Sequence, residues 1–354
     1  MNKKNIRIES LGVYLPKKKE TTQHLVNSCR HKPMMDLERI TGIKERCVAE
    51  NEFAVDLGAN AAKRALAMSR YNADDIDMII SCSISKHHSD GVITFEPSTG
   101  AMIKKAIGAK NAQTFDVVNA CAGVFNGVLI MESLLRTGAI RRGLVVSGEH
   151  NRPLVESALE EIKHSFDKQM ASLTLGDCGA ALILELGEDD SHGFHHIDMV
   201  TGAKHNHYCY SQPSAKGTGG ILITKAAGLQ QKGAEHFPTY LKNIVDRTGW
   251  SLDEIDVGIA HQVSARAIAH GIRAVNQHVG AKLADFFVTN VERYGNTTTT
   301  SHWVALQEFM LNGHIQKDHK LLFVSGASGI VITHATYTMD DLADRYRAHH
   351  KEEN

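Results

Sequence analysis

A thiol, an imidazole and a carboxamide stand at three strand-to-helix junctions of this 354-residue chain. Cys121 lies in DVVNACAGVFNGV (116–128), between an apolar run and small residues with helical spacing. Amides at a helix N-terminus favour negative charge, so a thiolate there is expected to have a lowered pKa and to act as a nucleophile. The flanking Ala120, Ala122 and Gly123 leave room for a bulky thioester. The plain alternative is a small buried apolar side chain. His261 follows the run DVGIA (256–260), at what would be the ligand-binding edge of a parallel sheet. A structural histidine is the alternative there. Asn296 sits in NVERYGNTTTTSHWVAL (290–306), where it either opens a turn and helix cap or presents its amide to a reacting carbonyl. Together the three fit a thiol nucleophile backed by two hydrogen-bond donors.

The elements that must hold these residues read as apolar strands alternating with amphipathic helices, an α/β pattern. DMIISCSI (77–84), TFDVV (114–118), GLVVSGE (143–149) and AALILEL (180–186) are β-type runs. Residues 57–70 and 123–138 have helical spacing, with Gly138 where the second helix would end. The plan recurs: DDIDMII (74–80) resembles DEIDVGI (253–259), and LVVSG (144–148) resembles LFVSG (322–326), at nearly equal separations. An internal duplication is expected, with one half over 1–186, another over 187–354, and polar GEDDSHG (187–193) at the join.

Composition narrows the function. With 42% hydrophobic residues a sizeable core is available, and a formal net charge of -1 argues against a nucleic-acid surface. The 21 histidines are scattered, and runs such as His87-His88 lack the HExxH or CxxC companions of a zinc site, so no metal is expected. The six cysteines form no CxxC, the N-terminal residues have no apolar signal core, and no stretch approaches a membrane span. A cytoplasmic setting with free thiols is expected.

Seven segments in order then make a specific resemblance: ITGIKERCVAE (40–50), EPSTGAMIKKAIGA (96–109), DVVNACAG (116–123), LGDCGAALIL (175–184), HQ (261–262), YGNT (294–297) and GASGI (326–330). The chain resembles ketoacyl-carrier-protein synthase III enzymes of the thiolase superfamily over nearly its whole length. The resemblance implies a duplicated five-layer α/β/α/β/α fold and a homodimer. It implies that Cys121 accepts an acyl group from a coenzyme A or carrier-protein thioester, with no other cofactor. His261 and Asn296 would hold the second thioester's carbonyl as its enolate forms. Backbone amides of Cys121 and Ser328 would make the acyl-transfer oxyanion hole, Ser328 standing where the family usually has glycine.

Departures refine this. Val263-Ser264 replace the usual Ala-Asn after the histidine, and Asp36 to Ile40 stand where an aromatic and an arginine often grip adenine. A carrier-protein-bound substrate, met by exposed Lys and Arg, is therefore expected over the housekeeping acetyl-coenzyme A role. Glu96 in TFEPSTG (94–100) looks like the glutamate of the branch that joins two acyl chains in dialkylresorcinol, α-pyrone and head-to-head hydrocarbon pathways. There it reaches across the dimer as a base, and burial near a thioester would raise its pKa. An acid preceding a helix that starts near Pro97 is the plainer reading. The expected activity is Claisen condensation of the Cys121-bound acyl group with a second (β-keto)acyl or malonyl thioester, in specialised lipid metabolism. Alternatives are an acyltransferase or thioesterase passing the acyl group to oxygen, nitrogen or water, and a non-catalytic partner subunit. A papain-like peptidase also uses Cys, His and Asn, but its local motif differs from NACAG.

Overall fold

The computed structural model describes residues 4–89, 92–215, 219–279 and 286–353. Its main sheet has ten strands: β1 (Ile6–Tyr14), β2 (Met78–Ser81), β3 (Gln113–Asp116), β4 (Arg142–Glu149), β5 (Cys178–Leu186), β6 (Gly193–Thr201), β7 (Val257–Ala260), β8 (Phe287–Val288), β9 (Lys320–Ala327) and β10 (Val331–Thr338). Their spatial order is β8-β7-β9-β10-β6-β1-β5-β4-β2-β3. The seam between β6 and β1 is a single bridged pair, Ile6 with Phe194. On each side lie five strands with one wiring. β3, β2 and β4 are parallel, and β5 and β1 complete the set antiparallel. β8, β7 and β9 are parallel, and β10 and β6 complete theirs in the same way.

The similar sequence stretches fall at matching places in the two sets. Asp77 accepts the backbone N–H of Arg142 (2.9 Å), the first residue of β4. Asp256 accepts that of Lys320 (2.7 Å), the first residue of β9. Each aspartate pins the start of the neighbouring parallel strand.

Period-2 alternation decides which helix layer each strand face meets. In β4, Val145 points to the central core, while Leu144 and Val146 point to an outer cluster under helix α1 (Ala54–Met68). Helix α2 (Thr99–Ile107) adds Ile103 to that outer cluster. In β9, Leu321 and Phe323 face the central core, and Leu322 and Val324 face the opposite outer layer. Between the sheets lie α3 (Gly123–Arg136) and α6 (Ser301–Leu311), whose Phe125 and Trp303 are nearly fully buried against Phe323. The second outer layer is α4 (Ala226–Thr248) with α5 (Ala265–Val279). The layers are α/β/α/β/α, as the resemblance implies.

Helix α1 lies very close to its sheet. A Cβ on Gly148 would stand 1.9 Å from the Ala54 carbonyl oxygen, and one on Gly179 would stand 2.0 Å from that of Leu57. Only a residue without a side chain admits that approach.

A short 3₁₀ turn at Ala203–Tyr208 leads into a hairpin of Cys209–Pro213 with Gly220–Thr224.

Candidate active site

Cys121 is held by a tight turn after β3. Ala120 takes a left-handed backbone (φ 44), Ala122 N–H bonds Asn119 O (3.1 Å) and Gly123 N–H bonds Ala120 O (2.9 Å). A non-glycine residue in that region carries strain of about 1 kcal/mol, so the turn is held by its surroundings. Asn119 contributes by donating to Asn126 Oδ1 (2.6 Å) on α3. The N-cap position of α3 is Ala122, whose side chain caps nothing. Cys121 itself is half-buried and packs on Ala122, Ala327 and Val331.

The expectation of a lowered thiol pKa does not hold for the free protein. Burial pushes the Cys121 thiol up, Cys209 adds to the push, and the Glu149 carboxylate adds further. The backbone hydrogen bond pulls the other way and is outweighed. Cys121 therefore rests as a neutral thiol.

His261 directly follows β7, and its N–H donates to Val324 O (2.8 Å) on β9. Its ring is buried, with Nδ1 2.7 Å from Ser301 Oγ. That hydroxyl also accepts the Gln262 N–H (3.3 Å). Where its hydrogen points to Nδ1, the neutral imidazole carries its proton on Nε2. Burial, with a smaller push from His302, lowers the His261 pKa to about 3, so the ring is neutral near pH 7. His302 lies parallel to it at 5.7 Å, and the edge of Phe125 meets His302 at 5.1 Å. Through these rings the start of α3, two residues past Cys121, is packed to His261.

Asn296 is fixed by its own turn. Its N–H donates to Thr174 O (2.8 Å), and its C=O accepts from Gly176 N–H (3.0 Å). Its side-chain oxygen accepts the Thr298 N–H (2.9 Å). That is the local turn bond the plainer reading anticipated, and it leaves the Nδ2 hydrogens to donate outward. The same segment touches the nucleophile's helix, since a Cβ on Gly123 would lie 3.4 Å from the Thr299 methyl.

Three residues not singled out from sequence complete the arrangement. Ser301 holds the His261 ring through Nδ1 (2.7 Å). His302 donates from Nε2 to Val324 O (3.1 Å). Glu149, fully buried at the end of β4, accepts from Ile84 N–H (3.0 Å), Ser85 N–H (3.2 Å), Ser147 Oγ (2.7 Å) and Thr299 Oγ1 (2.7 Å). It thereby ties the segment after β2 to the segment carrying Asn296. Ser301 and His302 were visible inside TTTTSH, but a cap reading absorbs them. Nothing in GLVVSGE distinguishes Glu149 from a strand-end acid.

The other two expected residues lie differently. Ser328 is half-buried in the turn between β9 and β10, beside Ala327, which packs with Cys121. Glu96 is exposed, not buried, and precedes Ser98, the N-cap of α2. Around it Phe95 is 85% exposed and Val92 55%, with Val118 at 54% beyond the edge strand β3. The described residues contain no cluster of metal-ligating side chains and no helix long and apolar enough to cross a membrane.

A half-buried cysteine at a helix start, a neutral histidine after a strand of the second five-strand set and an asparagine held in its own turn stand on a duplicated fold of the acyltransferase-type condensing enzymes. The model of 3-oxoacyl-[acyl-carrier-protein] synthase III matches residues 115–203, and the model of that family's C-terminal part matches residues 245–339. The two cover more than half of the chain, which belongs to the 3-oxoacyl-[acyl-carrier-protein] synthase III family. A β-ketoacyl-[acyl-carrier-protein] synthase III of Clostridium botulinum (strain Loch Maree / Type A3) is 27% identical over 300 residues, covering 82% of this chain and 85% of its own. The Aquifex aeolicus VF5 synthase III structure superposes with a TM-score of 0.80 at 22% identity, covering 95% of this chain and 100% of its own. A Xanthomonas campestris OleA with bound lauric acid and lauroyl-CoA superposes at 0.83 and 23% identity, covering 95% of this chain and 99% of its own.

Proposed function

We propose that the enzyme joins two acyl thioesters through Cys121. The thiol attacks the first thioester carbonyl, with the oxyanion held by the amides of Cys121 and Ser328. The carrier thiol departs and takes up the proton that Cys121 sheds, leaving an acyl-cysteine. The second thioester binds with its carbonyl oxygen against His261 Nε2–H and Asn296 Nδ2–H, which stabilise it as the enolate forms. The carbanion attacks the Cys121 thioester, the C–S bond breaks with its electron pair on Sγ, a β-keto product leaves, and the Cys121 thiolate recovers the proton that was taken from the α-carbon. The observation that carries this reading is the orientation of the two donors. In this reading the Ser301 hydroxyl donates to Nδ1 and leaves the imidazole proton on Nε2, while Asn296 Oδ1, engaged by the Thr298 amide, leaves Nδ2 to donate.

Glu96 of a second copy supplies the base that removes the α-proton, so the functional unit is a homodimer. The exposure of Phe95, Val92 and Val118 around it supports a covered surface here. The halves divide as 1–186, carrying Cys121 and Glu96, and 187–354, carrying His261, Asn296 and Ser328. A carrier protein approaches over α5, where Arg266, His270 and Arg273 are exposed on one face beside the His261 end. The test is intact-protein mass after mixing with a panel of acyl thioesters. The expected result is one acyl adduct on the wild type and none on Cys121→Ala. An adduct that survives Cys121→Ala contradicts the nucleophile assignment.

A further inference from the structure

Arg46 is 1% exposed, and its guanidinium is only partly satisfied. Nη2 donates to Thr22 Oγ1 (2.9 Å) and Leu173 O (3.0 Å), while Nε and Nη1 have no partner. The side chain lines a small cavity together with Glu20, Arg152, Gly176, Asp177 and the apolar Leu175. The space open to the centre of a water molecule is about 10 Å³, room for one. A buried charged group with open donors demands an acceptor. Glu20 is the carboxylate beside it, with one oxygen engaged by Arg152 (2.9 Å). Burial lowers the Arg46 pKa to about 10 while Glu20 opposes the fall, so the cation persists at neutral pH. A small anion does not suit this cavity, because the carboxyls of Glu20 and Asp177 line it. Water, which accepts from one group and donates to the other, does.

Arg46 also stands directly against the Asn296 turn. Cβ atoms built on Gly176 and Gly295 would lie 3.1 and 3.2 Å from Arg46 Cβ. Gly176 donates to the Asn296 carbonyl, and Gly295 immediately precedes Asn296. We propose that the cavity holds one ordered water bridging Arg46 to Glu20, and that this bridged arginine is a positioning residue for the Asn296 carboxamide. The positioning role rests on the assignment of Asn296 to the enolate; the water site does not.

Two measurements decide it. A high-resolution crystal structure of the wild type is expected to show a water within hydrogen-bond distance of Arg46 Nε or Nη1 and of the Glu20 carboxylate. A dry cavity, or a direct Arg46–Glu20 contact, overturns the water site. Arg46→Lys keeps the charge and loses the planar fork. It is expected to leave acyl transfer to Cys121 unchanged and to slow condensation on the order of 10- to 100-fold, the effect of a small misplacement of a reacting group. Glu20→Gln is expected to give the same split at smaller size and serves if Arg46→Lys does not fold. Equal loss of both steps, or loss of neither, overturns the positioning role. Asn296→Ala is measured alongside. If it leaves condensation intact, the Asn296 assignment fails by itself, and the water site is judged by the crystal structure.

Discussion

Three buried histidines are kept neutral by burial, and the cost is paid on acidification. His261 and His334 are lowered to about 3 and His302 to about 4, in each case chiefly by desolvation. The unfolded chain takes up protons at these residues below about pH 6.5, while the folded chain resists. Their contribution is fully present above that pH and is lost as pH falls towards the folded values. Asp177, raised by burial to about 7, acts oppositely, binding a proton in the folded state that the unfolded chain releases at lower pH. His87 and His88, also lowered chiefly by burial, act with these histidines, and Glu149 and Asp340, raised by burial, act with Asp177. The lowered histidines outnumber the raised acids, and the urea midpoint is expected to fall between pH 7 and pH 5. His334→Gln, at a buried position whose Nε2 has no partner, is expected to flatten that fall. An unchanged slope in the variant would show that His334 contributes nothing to it. At this scale the strand-to-helix positions of Cys121 and His261 were legible from sequence, whereas Asn296 lies between a short helix and a 3₁₀ turn. The neutral thiol of Cys121 was not legible, because it comes first from burial and then from Cys209 and Glu149, all of which only the fold supplies.

The placement of α1 on its sheet depends on glycines that alternation alone does not explain. Gly148→Ala would drive a methyl group onto the Ala54 carbonyl, and the helix must lift to admit it. A loss of about 1–3 kcal/mol in unfolding free energy is expected, the range for overpacking a tight core. A change under about 0.5 kcal/mol, the scale of a neutral surface substitution, would show that the helix shifts freely. Strands buried on both faces, such as β4 and β9, announced themselves through continuous runs of Val, Leu and Phe. The hairpin at 209–224 did not. Residues 209–213 are largely exposed and 220–224 mostly half-buried, so neither strand presents the one-sided apolar face that sequence reading relies on. The run TFDVV extends past the strand it marks, since β3 ends at Asp116, whose carboxylate accepts from the Thr99 and Gly100 amides at the start of α2.

At the scale of the molecule, the matched wiring of the two five-strand sets accounts for the repeated segments, and it brings the ends of β7 and β9 to the start of α3. The chain alone leaves Phe95 and Glu96 in solvent. If two copies cover them, Phe95→Glu is expected to shift the protein to monomer in sedimentation and to abolish condensation, with Cys121 still chemically intact. A dimer that survives this change places the interface elsewhere and removes Glu96 as the partner's base. The central claim is carbon–carbon bond formation between two thioesters on Cys121. Its most direct measurement is mass-spectrometric product analysis after supplying the enzyme with acyl thioesters that carry no malonyl carboxylate. The account predicts a β-keto product whose carbon count is the sum of the two acyl groups, absent with Cys121→Ala and with Glu96→Gln. Release of the Cys121-bound acyl group only to water or an alcohol, with no longer product, would contradict it.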